Sequence, residues 1–286
     1  MTGTSISHVN QGVGTCYSKT ELVGYYNDLT EKVTKDAANI LVPKYFVDSG
    51  EQIYFSIGIF QYGLGAYDLF LLHNEEIYKK KVLACANWAV ENQQNDGGWL
   101  TFDYKSPEHP YSSMAQGEGI SLLLRAHRIT SDEKYLDCAH KAIEFMFKPI
   151  YDGGTTFYCG DDVYFYEYTH EPLVLNGWIF SLWGVYDYCL YTNDEKAEEH
   201  LKASLRSLNK KLPEYDCGYW SKYDDGNRIT SPFYHRLHIA QLTVMYDLFE
   251  DEIYKEYTDK WAAYQKKRIN SGRAFLKKAL QKLFER

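Results

Sequence analysis

Four times along the chain, a long apolar stretch crosses a short acidic joint into an amphipathic one, and this alternation constrains the fold more than any other feature. The first pair is "IYFSIGIFQYGLGAYDLFLLH" (53–73) with "NEEIYKKKVLACANWAVENQ" (74–93), and the second is "SSMAQGEGISLLLRAHRIT" (112–130) with "SDEKYLDCAHKAIEFMF" (131–147). "LVLNGWIFSLWGVYDYCLYT" (173–192) precedes "NDEKAEEHLKASLRSLNKKL" (193–212), and "YHRLHIAQLTVMYDLFE" (234–250) precedes "DEIYKEYTDKWAAYQKKR" (251–268). A helix that is apolar or small nearly all round must be buried. One with charges on a single face lies outside it. The joints "NEE", "SDE", "NDE" and "DE" carry N-cap and first-turn acids, which satisfy free backbone N–H groups and the helix dipole.

Each hairpin needs its neighbours to cover its inner member, so the pattern predicts an all-α fold: an incomplete α/α toroid of about four helical hairpins. "AYDL" (66–69), "VYDY" (185–188) and "MYDL" (245–248) suggest a degenerate repeat of about sixty residues, with "RAHR" in the missing copy. Residues 50–286 read as the toroid domain, and 1–49 as an N-terminal segment with a flanking helix over 21–40. A further helix is expected over 271–285.

Long aromatic connections at 93–111, 148–172 and 213–233 each join an outer helix to the next inner one, so they emerge at one rim. Loops of that length in a compact domain usually carry function. The alternation in "TTFYCGDDVYFYEY" and "GYWSKYDDGNRIT" predicts short β-hairpins turning at "GDD" and "DDGN". "QQNDGGW" (93–99) matches a Q-x-x-D-G-x-W turn whose work is structural, tying an outer helix to the next hairpin.

A net charge of −8 argues against nucleic acid or an anionic membrane as partner, and obliges any anionic ligand to find a local cationic pocket. The start "MTGTSISHVNQGVG" shows no leader pattern and no run is long enough to span a bilayer, so a cytoplasmic protein is expected. Six scattered cysteines without a CxxC pair suit free thiols in a reducing compartment. Metal chemistry finds no HExxH and no paired ligand set, and "GDD" reads as a turn. The 27 tyrosines and 6 tryptophans favour ring-lined surfaces such as carbohydrate sites.

Two rim segments hold the chemistry. "VYFYEYTHEP" (163–172) sets Glu167 among Tyr164, Phe165, Tyr166 and Tyr168, while "SPFYHRLH" (231–238) sets Tyr234 beside His235, Arg236 and His238. A carboxylate amid rings is costly to bury and rises toward the general-base range. Arg228, Arg236, His235 and His238 offer a positive field for an anionic ligand.

Three of these stretches, "YSSMAQGEGISLLLRAHRIT", "YFYEYTHEPLVLNGWIFSLWGVYDY" and "SPFYHRLHIAQL", resemble the C-terminal catalytic region of D-glucuronyl C5-epimerases. "IYFSIGIFQYGLGAYDL" and "WAVENQQNDGGW" extend the resemblance over about residues 50–265. It implies conversion of glucuronate to iduronate in heparosan-type glycans without a cofactor, by proton removal at C5 and return from the opposite face. Tyrosine would serve if nearby cations lower its pKa. By the resemblance, Glu167, Tyr168 and Tyr234 are the catalytic residues, with Glu167 and Tyr168 on one face and Tyr234 on the other. Substrate contacts fall on Gln61, Tyr62, Tyr111, Ser112, Ser113, Met114, Asn176, Tyr223, Arg228, His235, Arg236 and His238, with no metal ligands. Phe180 and Thr169 depart from the animal pattern, which has tyrosine and proline there. Animal members are dimers, so a homodimer is an expectation, with the amphipathic "SGRAFLKKALQKLFER" free to pack within or between chains. Two other readings stay open. A polysaccharide lyase would eliminate after the same abstraction and leave an ultraviolet-absorbing product, and a non-catalytic glycan-binding toroid would show no exchange.

Overall fold

The computed structural model describes residues 9–37, 39–47 and 49–284. Residues 1–8, on which much of the expected absence of a leader rests, lie outside it. A short helix α1 (Thr30–Thr34) and a two-residue hairpin, β1 (Tyr45–Phe46) and β2 (Gln52–Ile53), precede the toroid. Four helical hairpins follow: α2 (Ser56–His73) with α3 (Glu76–Asn92), α4 (Ser113–Thr130) with α5 (Glu133–Phe147), α6 (Leu175–Thr192) with α7 (Glu195–Lys211), and α8 (Pro232–Phe249) with α9 (Glu252–Lys266). The hairpin β3 (Thr156–Cys159) and β4 (Asp162–Phe165) interrupts them, and α10 (Arg268–Phe284) is the last described element. The fold is an all-α incomplete α/α toroid. α2, α4, α6 and α8 are the inner helices, packed in that order, and α3, α5, α7 and α9 lie outside. Among the described residues no helix is long and apolar enough to cross a membrane.

The acidic joints have a common construction. Asn74, Ser131, Asn193 and Glu250 close the inner helices in the left-handed conformation (φ 54°, 56°, 56° and 58°). Each donates its N–H to the carbonyl four residues back. The next residue caps the outer helix, and at two joints its carboxylate accepts a backbone N–H, Asp132 from Lys134 and Asp194 from Ala197. In "NEE", "SDE" and "NDE" the first letter is thus the end of one helix and the second starts another, whereas at the fourth joint Glu250 ends α8 and the first letter of "DE", Asp251, starts α9.

Counted back from these caps, Asp68, Arg125 and Asp187 share one position, whereas Asp247 falls out of register with the other two "YD" copies. The degenerate copy therefore supplies the cation. Arg125 pairs with Asp187 (Nη1–Oδ2 2.5 Å), both fully buried. Tyr26 donates its hydroxyl to Asp187 (2.7 Å) and the Tyr25 N–H bonds Asp68 (2.9 Å).

That network also explains why 21–40 is not the helix expected. Arg125 takes the carbonyls of Val23 (3.0 Å) and Gly24 (2.9 Å), so the backbone there bonds to side chains and to Cys16 instead of to itself. Only α1 remains helical. The predicted hairpin at 218–230 is likewise reduced to isolated bridges, Asp216 with Ser221 and Lys222 with Ile229. Its backbone is spent partly on Val174, which bridges Asp224.

Among the described residues no further helical hairpin lies between α8 and α2, and residues 9–34 line that interval. Tyr17 donates to Asp247 of α8 (2.9 Å) and Lys19 pairs with it (3.0 Å). On the other side the Leu29 carbonyl lies so near Gly65 of α2 that a Cβ there would stand 2.4 Å from it. "QQNDGGW" ties neighbouring hairpins: Gln93 donates to the Cys138 carbonyl (2.9 Å), and Trp99 donates to Ala89 (2.8 Å) while packing on Phe60. α10 packs Ala274 against Trp220 and Ile229, leaving Phe275, Leu276, Leu280 and Leu283 exposed. All six cysteines are free thiols.

Candidate active site

A cleft of about 160 Å3 opens at the rim where the N-termini of α2, α4, α6 and α8 converge. It is lined by Glu167 and Tyr168 after β4, Tyr234 and Leu237 of α8, Asn176 and Phe180 of α6, Met114 of α4 and Gln61 of α2. Helix N-termini present unpaired N–H groups and partial positive charge, which favours an anion.

Register aims Glu167 inward. Along "VYFYEY" every second side chain, Val163, Phe165 and Glu167, is buried. Backbone bonds pin both sides of the turn, Tyr166 N–H to Thr155 (3.0 Å) and Ser113 N–H to Tyr166 (3.0 Å). The carboxylate is 5% exposed, and Oε2 has no hydrogen-bond partner among the described residues. It rests on the first turn of α6 at Gly177, where a Cβ would stand 2.3 Å from Oε2. Burial pushes its pKa up to about 7, against a side-chain hydrogen bond with Tyr168 and the charges of Lys105 and Arg228.

Tyr168 lies flat on Phe102 (4.4 Å between centroids), with Lys105 Nζ 4.7 Å above its ring. Tyr234 occupies the first turn of α8, where Ser231 caps by accepting the Tyr234 N–H (3.4 Å) and Pro232 opens the helix. Burial, then the charge of Glu167, holds both phenols above their ordinary range. The expectation that cations lower these pKa values is therefore reversed. Both phenols are protonated at neutral pH, and the carboxylate that shares the cleft with them titrates near it.

The cleft brings together Gln61, Met114, Glu167, Tyr168, Asn176 and Tyr234 from the residues singled out above. Gln61 is held by donation to buried Glu118 (2.8 Å), and Asn176 Oδ1 lacks a partner among the described residues. The others lie outside the lining. Tyr62 turns away, donating to the Ile40 carbonyl (3.0 Å) and accepting from Lys81 (2.7 Å). Tyr111 packs on Phe145 and reaches Asp96 (3.4 Å). Ser112 caps α4, and Ser113 accepts from Ser181 (2.8 Å), joining α4 to α6. Tyr223 packs edge-on against the Tyr234 ring, with 5.0 Å between centroids.

The expected positive field is not where the sequence placed it. His235 is fully buried, stacked 3.6 Å from Trp220 and bonded to Ser221 (2.8 Å), and burial lowers its pKa to about 4. His238, buried beside Trp261, falls to about 3 for the same reason. Neither is charged at neutral pH. Arg236 faces solvent, and Arg228 is committed to Glu171 (2.8 Å) and Asp224. In their place the lining holds Lys32, Gln11 and Tyr45 of the N-terminal segment, with Phe55, Phe102 and Phe233. No periodic pattern marked those residues; the one available signal was a lysine in a chain segment needed to close the ring.

A profile of the D-glucuronyl C5-epimerase C-terminus matches residues 93–263. The D-glucuronyl C5-epimerase of Caenorhabditis elegans is 32% identical over 223 residues, 68% of this chain and 36% of that protein. An uncharacterised protein of Methanocaldococcus jannaschii is 34% identical over 155 residues, 52% of this chain and 50% of that one. A family 76 glycoside hydrolase from a bovine Bacteroides thetaiotaomicron strain overlaps 70% of this chain and 45% of its own, at 16% identity and a TM-score of 0.46. The matches thus span no more than about half the length of these curated relatives. On the profile and the nematode relative together, the chain belongs to the D-glucuronyl C5-epimerase family.

Proposed function

We propose that this protein inverts C5 of D-glucuronate residues in a heparosan-like glycan, giving L-iduronate. The observation that carries the reading is Glu167: a buried carboxylate with one oxygen unpartnered among the described residues, pushed up to about 7, in a cleft it shares with two protonated phenols. Titratable groups whose environments drive their pKa values apart mark acid and base. The C5 proton is α to the uronate carboxylate, so its removal spreads charge onto that carboxylate. Glu167 accepts the proton, relayed through the Tyr168 hydroxyl bonded to it, which takes the C5 proton as it hands over its own. Tyr234, from α8, donates a proton to the opposite face of C5, and Glu167 and Tyr234 exchange roles in the reverse direction. Asn176 and Gln61 supply neutral hydrogen-bonding groups for the sugar hydroxyls. The cleft holds on the order of ten waters' volume, the scale of one sugar residue.

The test is incubation with heparosan in deuterated water, followed by NMR of C5 and of iduronate. Deuterium at C5 with iduronate appearing supports the reading. An unsaturated product without iduronate would make the protein a lyase, and no exchange on any glucuronate or other uronate glycan would defeat the proposal.

A further inference from the structure

The cleft has one wall that no hairpin builds. Between the last inner helix, α8, and the first, α2, the lining consists of Gln11, Lys32 and Tyr45. These residues lie outside the stretch matched by the family profile, 93–263. They are nevertheless firmly placed. Buried Asn27 donates to the carbonyls of Gln11 (3.3 Å) and Gly12 (2.5 Å), and the Asp28 N–H bonds Gly12 (2.9 Å). Asn10 N–H bonds Glu31 (2.7 Å), one residue before Lys32. Tyr45 lays its ring on Gly58 of α2, where a Cβ would meet it at 2.4 Å, and donates its hydroxyl to the Gly58 carbonyl (2.8 Å).

Charge distinguishes this wall from the rest. Among the described residues Lys32 is the only lysine, arginine or histidine lining the cleft. A uronate approaching a chain of net charge −8 must bring its carboxylate past Glu167, and proton loss at C5 then adds charge to that same carboxylate. A cation fixed beside it favours binding and, more strongly, the charged intermediate. Of the arginines and histidines that might have served elsewhere, His235 and His238 are neutral, Arg236 is exposed and Arg228 is committed to Glu171 and Asp224.

Resting on the epimerase reading, we propose that Lys32, flanked by Gln11 and Tyr45, holds the carboxylate of the reacting hexuronate, so that the N-terminal segment is part of the active site and not a flank. Burial lowers the Lys32 pKa to about 8, opposed by Glu118 and Asp36, which leaves the ammonium mostly charged at neutral pH.

Two arms test this in the full chain with Lys32→Gln and Lys32→Arg. In the first, binding of a heparosan oligosaccharide and of its carboxyl-reduced counterpart is titrated. Lys32→Gln should bind the acidic oligosaccharide about 10- to 100-fold more weakly, the reduced one as wild type does, and Lys32→Arg should recover part of the loss. Equal binding of the acidic oligosaccharide by wild type and Lys32→Gln overturns the inference, as does an equal loss on both oligosaccharides. The second arm is C5 exchange in deuterated water. Exchange by wild type with an unchanged kcat/KM in Lys32→Gln sinks Lys32 alone. Absence of exchange by wild type on every uronate glycan sinks the epimerase reading, while the binding arm still decides whether Lys32 reads the carboxylate.

Discussion

Gly177→Ala offers a test of Glu167 that leaves its carboxylate in place. The added Cβ would stand 2.3 Å from Oε2 and 2.6 Å from Cβ of Glu167, against ordinary contacts of 3.4 Å or more. α6 is held by its neighbours along its length, so the turn carrying Glu167 yields, moving the carboxylate by about 1 Å. A displacement of about 1 Å at a reacting group costs about 100-fold in rate. Stability changes far less. Overpacking costs about 1–3 kcal/mol, and alanine over glycine in a helix restores about 1 kcal/mol. The net loss is about 0–2 kcal/mol, a Tm decrease of less than about 8 °C. Exchange of the C5 proton and thermal unfolding, measured on one preparation, separate the two effects. A folded variant exchanging within about threefold of wild type would refute the claim that the position of Glu167 matters.

Tyr234→Phe and Tyr168→Phe should each lower exchange by about 100- to 10,000-fold with unfolding unchanged; near-normal turnover in both would remove the phenols from the mechanism. Because Glu167 must be ionised to accept a proton, turnover should rise with pH through an apparent value near 7, checked by initial exchange rates from pH 5 to 9. Its folded pKa lies above the unfolded one, so Glu167 contributes stability below about pH 4 that is lost as pH rises through about 7. Glu167→Gln should therefore abolish exchange yet exceed wild type in stability at pH 8, by at most about 3 kcal/mol, with the advantage vanishing near pH 4. Glu250 adopts a left-handed conformation that glycine takes without strain (φ 58°), so Glu250→Gly should raise stability by about 0.5–1 kcal/mol without altering exchange.

The hairpins, their burial and the shared rim were legible in the sequence because each follows from a period of 3.6 interrupted by a cap. Glu167, Tyr168 and Tyr234 were legible through the resemblance, and their gathering through the common polarity of the three long loops. The electrostatics were not. His235 and His238 read as cations until Trp220 and Trp261 close over them, a packing event that no local pattern announces. Lys32 was invisible for the converse reason. Its segment has almost no secondary structure and is placed by side chains such as Asn27 and Arg125, bonds between residues up to about a hundred positions apart. Even the repeat misled at "MYDL", where a similar tripeptide occupies a different turn of the helix.

The two ends of the toroid obey different rules of change. At the closed end each inner helix reaches its outer partner through only two residues, one of them left-handed. An inserted residue there would rotate the outer helix by about 100° and turn its apolar stripe to solvent. At the other end the connections are long and can lengthen without disturbing either helix they join. The rim connections can therefore be rewritten while the short joints of the opposite face keep the four hairpins in register.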